Sequence, residues 1–129
     1  MPNENTPIIK IRFTPEFKRN LRTLSKKYRH IRTDVQPVID QIQTGEFAGD
    51  QIPRVKYTVF KVRVKNSDTQ KGKRSGYRFI YYLKTQTEVI LVTIYSKLEQ
   101  SDISAEQIRR ILQDYDKKLV TTKAQVRRT

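Results

Sequence analysis

The chain has 129 residues, with 27 Lys and Arg against 13 Asp and Glu, a formal net charge of +14 at pH 7. That length fits one domain of ordinary size, and 36% apolar residues with a mean hydropathy of −0.74 make a lean core rather than a disordered chain. With no cysteine and a single histidine, His30, the sequence excludes a disulfide framework, a thiol nucleophile and most zinc sites, and leaves a serine-type triad only one base.

The longest aliphatic run, Val89-Ile90-Leu91-Val92, is far short of the ~20 residues that cross a bilayer. The opening Met1-Pro2-Asn3-Glu4-Asn5 has neither the basic nor the apolar region of a signal peptide. The expectation is a small, soluble, cytoplasmic domain with a polyanionic partner.

In chain order, residues 1–7 read as a frayed polar arm. Ile8–Phe13 alternates apolar and basic side chains and predicts a first strand. Thr14-Pro15-Glu16 is a helix start, with Thr as N-cap, Pro at the first helical position and an acid at the positive dipole end. Phe17, Leu21, Leu24 and Tyr28 then form one helical face. A second helix over about residues 31–44 buries Ile31, Val35, Val38, Ile39 and Ile42; Pro37 predicts that it starts near Thr33-Asp34 or kinks, and Gly45 stops it.

A loop follows through Gly49-Asp50 and Pro53, and then the period changes to two. Thr58–Lys65 sets Val59, Lys61, Arg63 and Lys65 against Phe60, Val62 and Val64. Asn66–Ser75 reads as a hairpin loop, and Gly76–Leu83 as a strand with Tyr77, Phe79, Tyr81 and Leu83 opposite Arg78, Ile80 and Tyr82. Glu88–Tyr95 is nearly all apolar, as a strand buried on both faces would be. Ser104-x-x-Gln107 is a capping box that opens a last helix with Ile108, Ile111, Leu112 and Tyr115 inward. Residues 116–129 lack periodicity and predict a mobile basic tail behind a domain spanning 8–115. The order βααβββα predicts an α+β domain, an antiparallel-rich sheet packed on two N-terminal helices and one C-terminal helix.

The charge is not spread evenly. Residues 51–80 hold nine basic residues against one acid, Asp68, for a net +8, while residues 1–50 and 81–129 are each net +3. Strand alternation puts Lys61, Arg63 and Lys65 on one face, and a hairpin sets Arg78 beside them. Like charges directly opposite are destabilising, so folding gives no reason to gather them. A bound phosphate does. The plainer alternative is the solvent side of a half-buried sheet. Tyr77, Phe79 and Tyr81 read as core, whereas Tyr82 shares Arg78's side and is a candidate nucleotide contact. His30 reads as an exposed or partly packed histidine. Lys71-Gly72-Lys73 has no helix behind it and builds no nucleotide cradle.

Phe60-Lys61-Val62-Arg63-Val64, then Ser75-Gly76-Tyr77-Arg78-Phe79-Ile80-Tyr81-Tyr82, then Ile94-Tyr95-Ser96-Lys97-x-Glu99, resemble the RelE/ParE superfamily of bacterial toxins, closest to its RelE and HigB-like branch. The resemblance covers roughly residues 8–115. It implies a compact sheet-and-helix fold, a cognate antitoxin, and metal-independent, cofactor-free cleavage of mRNA in the ribosomal A site. It also implies catalytic roles for Lys61, Arg63, Arg78 and, after the next strand, Lys97. The chain departs from the pattern at Leu98, where a RelE-type enzyme has arginine, and at Ile103-Ser104-Ala105, where it has tyrosine. It also has no histidine after that strand, and its hairpin loop is longer.

On this reading Arg63 and Arg78 clamp a phosphate with forked, permanently charged donors. Lys61, crowded by cations, is the candidate base. Tyr95 or Tyr82 stacks on or hydrogen-bonds the scissile nucleotide, and Lys65, Lys71, Lys73 and Arg74 grip RNA. The antitoxin is expected to cover the +8 segment with acidic or apolar elements. Two other functions fit the same scaffold: a ParE-like DNA gyrase inhibitor without nuclease activity, and a non-catalytic RNA-binding domain.

Overall fold

The computed structural model describes residues 8–69 and 75–127, with side chains to residue 117. The elements are β1 (Lys10–Phe13), α1 (Pro15–Lys27), α2 (Ile31–Gln43), β2 (Asp50–Gln51), β3 (Val59–Val64), β4 (Tyr77–Thr85), β5 (Glu88–Ser96) and α3 (Ala105–Arg127). Among the described residues the five strands form one sheet in the order β1-β5-β4-β3-β2. Only β1 runs parallel to its neighbour β5; the other pairings are antiparallel. The fold is α+β, as the element order predicts.

The signals at the helix starts act as read. The Thr14 hydroxyl accepts from Phe17 N–H at 3.0 Å and donates to the Val92 carbonyl at 2.6 Å. One buried side chain thus caps α1 and satisfies β5 where β1 stops covering its edge. Asn20 extends that cover, its amide donating to Thr93 Oγ1 and to the Ile94 carbonyl. At α3, Gln107 N–H donates to Ser104 Oγ at 3.1 Å while Ser104 N–H donates to Gln107 Oε1 at 3.0 Å, a reciprocal cap.

The sheet separates two cores. On one face α1 and α2 bury Phe17, Leu24, Tyr28, Ile31, Val35 and Ile42 against Val62, Val64, Tyr77, Phe79, Tyr81, Leu91 and Ile94. On the other, α3 places Ile108 and Leu112 on Val59, Ile80, Ile90 and Val92. The alternation read for β3 and β4 therefore holds, residue for residue.

Three expectations change. The second helix covers Ile31–Gln43, as the span 31–44 predicts, and runs through Pro37, so the later start near Thr33-Asp34 is not taken. Pro37 lies on the exposed side of the helix, and the intrahelical bond it removes is the one to the Thr33 carbonyl. The 45–58 connection contains β2, a two-residue strand too short to show alternation. The last helix does not stop at Tyr115 but continues to Arg127, over the stretch read as an aperiodic tail. The polar arm 1–7 lies outside the described residues.

Two glycines fix the hairpin that carries the cations. At Gly76 a Cβ would stand 2.1 Å from the Val64 carbonyl oxygen, so only glycine allows β3 and β4 to close there. Gly49 has φ +100°, and a Cβ on it would lie 2.5 Å from the Lys61 carbonyl oxygen. The Tyr81 hydroxyl donates to the Ala48 carbonyl at 2.6 Å and holds the same segment against the sheet.

Candidate nucleic-acid interface

Cross-strand register turns the α3 side of the sheet into three rows. Val59, Tyr82 and Ile90 form the first, Lys61, Ile80 and Thr93 the second, and Arg63, Arg78 and Tyr95 the third. Successive rows lie two residues apart along each strand, so the surface passes from apolar to cationic over about 14 Å. The helix covers the apolar end.

Tyr95 reaches the third row through a β-bulge. Ile80 pairs with Thr93 but Tyr81 pairs with Leu91, leaving Val92 as an extra residue in β5. Without it, Tyr95 would share the parity of Val89 and Leu91 and point into the α1–α2 core. With it, Tyr95 stands beside Arg78.

Arg63 and Arg78 are directly opposed. Arg63 is exposed, whereas Arg78 is only 5% exposed and donates from Nη1 to the Tyr77 carbonyl at 3.3 Å. Burial, and then the charge of Arg63, lower the Arg78 pKa from its ordinary value, while Tyr95 and Asp102 act the other way. A guanidinium remains charged at neutral pH regardless. The row thus sets two guanidiniums side by side, with the Asp102 carboxylate near enough to act on Arg78.

The residue that sequence reading missed here is Asp102, in the loop between β5 and α3. Its Oδ1 accepts from Ile103 N–H at 2.8 Å, from the Tyr95 hydroxyl at 3.3 Å and from Lys61 Nζ at 3.4 Å. The Ile103 N–H, opposed by some desolvation and helped by Lys61, holds its carboxyl below the usual carboxylate range. Burial, then Asp102, push the Tyr95 phenol up to about 12, so it stays a proton donor at neutral pH. Lys61 was expected among cations alone. With an anion against it, its arrangement suits a charged donor rather than a base.

The other candidate residues are placed apart. Lys97 is exposed, and its ammonium donates to the Ser101 carbonyl while its N–H donates to Gly76 O at 2.9 Å, so it braces the loop that carries Asp102. Lys65 is exposed just past the end of β3. Tyr82 is not with the cations: it lies in the apolar row, its ring edge-on to Tyr57 at 5.1 Å and packed beneath α3. Parity alone placed it with Arg78, but four residues along a strand is too far to share a nucleotide with it. Lys71, Lys73 and Arg74 lie outside the described residues.

Asp68, the one acid of the basic segment, is engaged elsewhere. His30 Nδ1 stands 2.7 Å from Asp68 Oδ1 and His30 N–H donates to Oδ2 at 3.0 Å, while Asp34 accepts from the Ser67 N–H and hydroxyl. His30 is therefore an exposed structural partner that ties the α1–α2 junction to the end of the hairpin. Among the described residues, no three acidic or imidazole side chains stand together as metal ligands, and no helix is long and apolar enough to cross a membrane. No protein-family model matches the chain, and no curated protein sequence matches it.

Proposed function

We propose that this protein is the toxin of a toxin–antitoxin pair, a RelE-like endoribonuclease that cuts mRNA on the ribosome. The observation that carries the reading is the row Arg63–Arg78–Tyr95 with Lys61 one row away: two guanidiniums, an ammonium and a protonated phenol gathered at one end of a sheet face, Arg63 exposed, Lys61 partly exposed and Arg78 and Tyr95 buried beside them. These groups suit cleavage by the RNA's own 2′-hydroxyl. The O2′–P bond forms, the P–O5′ bond breaks, and a 2′,3′-cyclic phosphate remains. Arg63 and Arg78 hold the phosphate in line and, with Lys61, stabilise the charge that builds on its oxygens. Tyr95 gives its proton to the departing 5′ oxygen, and the 2′ proton leaves to water. Among the described residues the row offers donors for phosphate rather than groups for reading bases, which agrees with a substrate already splayed in the decoding centre. The cytoplasm and a cognate antitoxin belong to the same proposal, the antitoxin masking the cationic row.

Primer extension on a translated mRNA after brief induction, with and without ribosomes, tests this. Ribosome-dependent cuts that disappear in Arg78→Ala are the expected result. An Arg78→Ala protein that still cuts at the native rate overturns the assignment. Growth arrest with DNA damage and intact mRNA would instead identify a gyrase inhibitor, the reading to which Leu98 and Ser104 incline.

A further inference from the structure

We propose that Asp102 is a built-in counter-ion that sets an affinity threshold at the site, a carboxylate that a phosphate must displace to reach Lys61 and Tyr95 and that a polymer with further phosphate contacts displaces most readily; this rests on the cationic row being a phosphodiester site. A carboxylate and a phosphate present similar acceptor oxygens, and Asp102 already holds the Lys61 ammonium and the Tyr95 hydroxyl with Arg78 close enough to feel its charge. Lys61, assigned to the phosphate, and Tyr95, assigned to the leaving oxygen, are therefore engaged by the chain itself.

The occupancy is weak enough to be displaced. Asp102 is 66% exposed and Lys61 35%, the contact is 3.4 Å long, and an ion pair this open contributes up to about 1 kcal/mol. The loop that presents it is nevertheless fixed at both ends. Lys97 holds the Ser101 carbonyl on one side, and the Ser104–Gln107 cap anchors α3 on the other.

Tethering gives the carboxylate a high effective concentration. One free phosphate, with no other anchor, meets that threshold alone. A strand of RNA binds further phosphates at other cations, and those contacts drive the exchange. Displacement then turns the Lys61 and Tyr95 donors from Asp102 to the phosphate, so the site is armed by the ligand that it cuts.

Asp102→Asn is the test, because the amide oxygen keeps the Ile103 N–H contact and only the charge is lost. Inorganic phosphate and a 2′-O-methyl oligoribonucleotide that cannot be cleaved are titrated into the full chain. The variant should bind phosphate and the oligonucleotide more tightly by the same factor, up to about fivefold, the conversion of up to about 1 kcal/mol, because each must displace the same carboxylate. Glu99→Gln, which removes a carboxylate of the same loop that pairs with Lys27, should change neither. The Tyr95 titration should also move down from about 12 in Asp102→Asn.

No gain for either ligand, or the same gain from Glu99→Gln, would overturn the proposal, the second outcome by showing a general charge effect. Unchanged phosphate affinity in a variant whose Tyr95 titration has moved would overturn it as well. The underlying site reading fails separately: it falls if Arg78→Ala leaves oligonucleotide binding intact.

Discussion

The two faces of the sheet are built by opposite rules. On the α1–α2 face every inward residue of β3 and β4 is apolar or aromatic, and two helices seal it. On the α3 face the same strands present Val59, then Lys61, then Arg63, and the helix packs on the first of these rows and on Ile80 of the second. Apolar burial dictates the sealed face, because transfer of large side chains from water supplies most of the folding free energy. The far end of the other face follows another rule: Arg63, exposed, lies opposite Arg78, which is buried and hydrogen-bonded to the Tyr77 carbonyl. Apolar burial does not account for charged side chains in such a row, and there the sheet points to binding.

The contrast can be broken most directly from the sealed side. Phe17 is fully buried and packs edge-on to Phe79 at 5.4 Å. Phe17→Ala should lower the free energy of unfolding by about 3–5 kcal/mol in a urea titration. The fraction that remains folded should bind RNA as before.

Arg63→Gln should do the reverse. It should weaken oligonucleotide binding at low salt, flatten the salt dependence by about one phosphate contact, and raise stability by up to about 1 kcal/mol through relief of the like-charge pair. A variant that lost stability instead would mean that the cationic row is part of the structural frame.

A smaller effect sharpens the same division at the edge of the row. His30, through its ring and then its N–H, depresses the Asp68 pKa. A carboxylate depressed on folding contributes stability that is fully present above its unfolded value and is lost as pH falls through its folded value. Wild type and Asp68→Asn should therefore differ most near neutral pH. The difference should close once the pH passes below the ordinary carboxylate range, and RNA binding at neutral pH should not fall in the variant.

How much of this was legible in the sequence follows from range and periodicity. Alternation in 58–65 and 76–83 is a local signal, and it assigned each side chain of β3 and β4 to the correct face. The hairpin then made Arg63 and Arg78 neighbours. Glu88–Tyr95 carries no alternation, so the bulge at Val92 had no trace, and with it the side on which Tyr95 emerges. Asp102 was invisible for another reason. An acid in a loop before a helix is ordinary, and only the fold brings it to Lys61, 41 residues away. The extension of α3 was missed because residues 116–127 lack an apolar stripe, although Lys, Gln, Leu and Ala are good helix formers.

The parallel pairing of β1 with β5 sets the order in which the molecule can be assembled. Closing the chain from Lys10 to Glu88 must await nearly all of the sequence, and contacts of such long range form late and slowly. During synthesis the two N-terminal helices emerge with no central strand to pack on, and Arg78 emerges before Tyr95 and Asp102. A nascent or prematurely ended chain that stops before β5 therefore has the three cations, Lys61, Arg63 and Arg78, and the β3–β4 pairing that sets them together, but neither the central strand behind that hairpin nor the phenol beside it. Competence arrives only with the last third of the polypeptide.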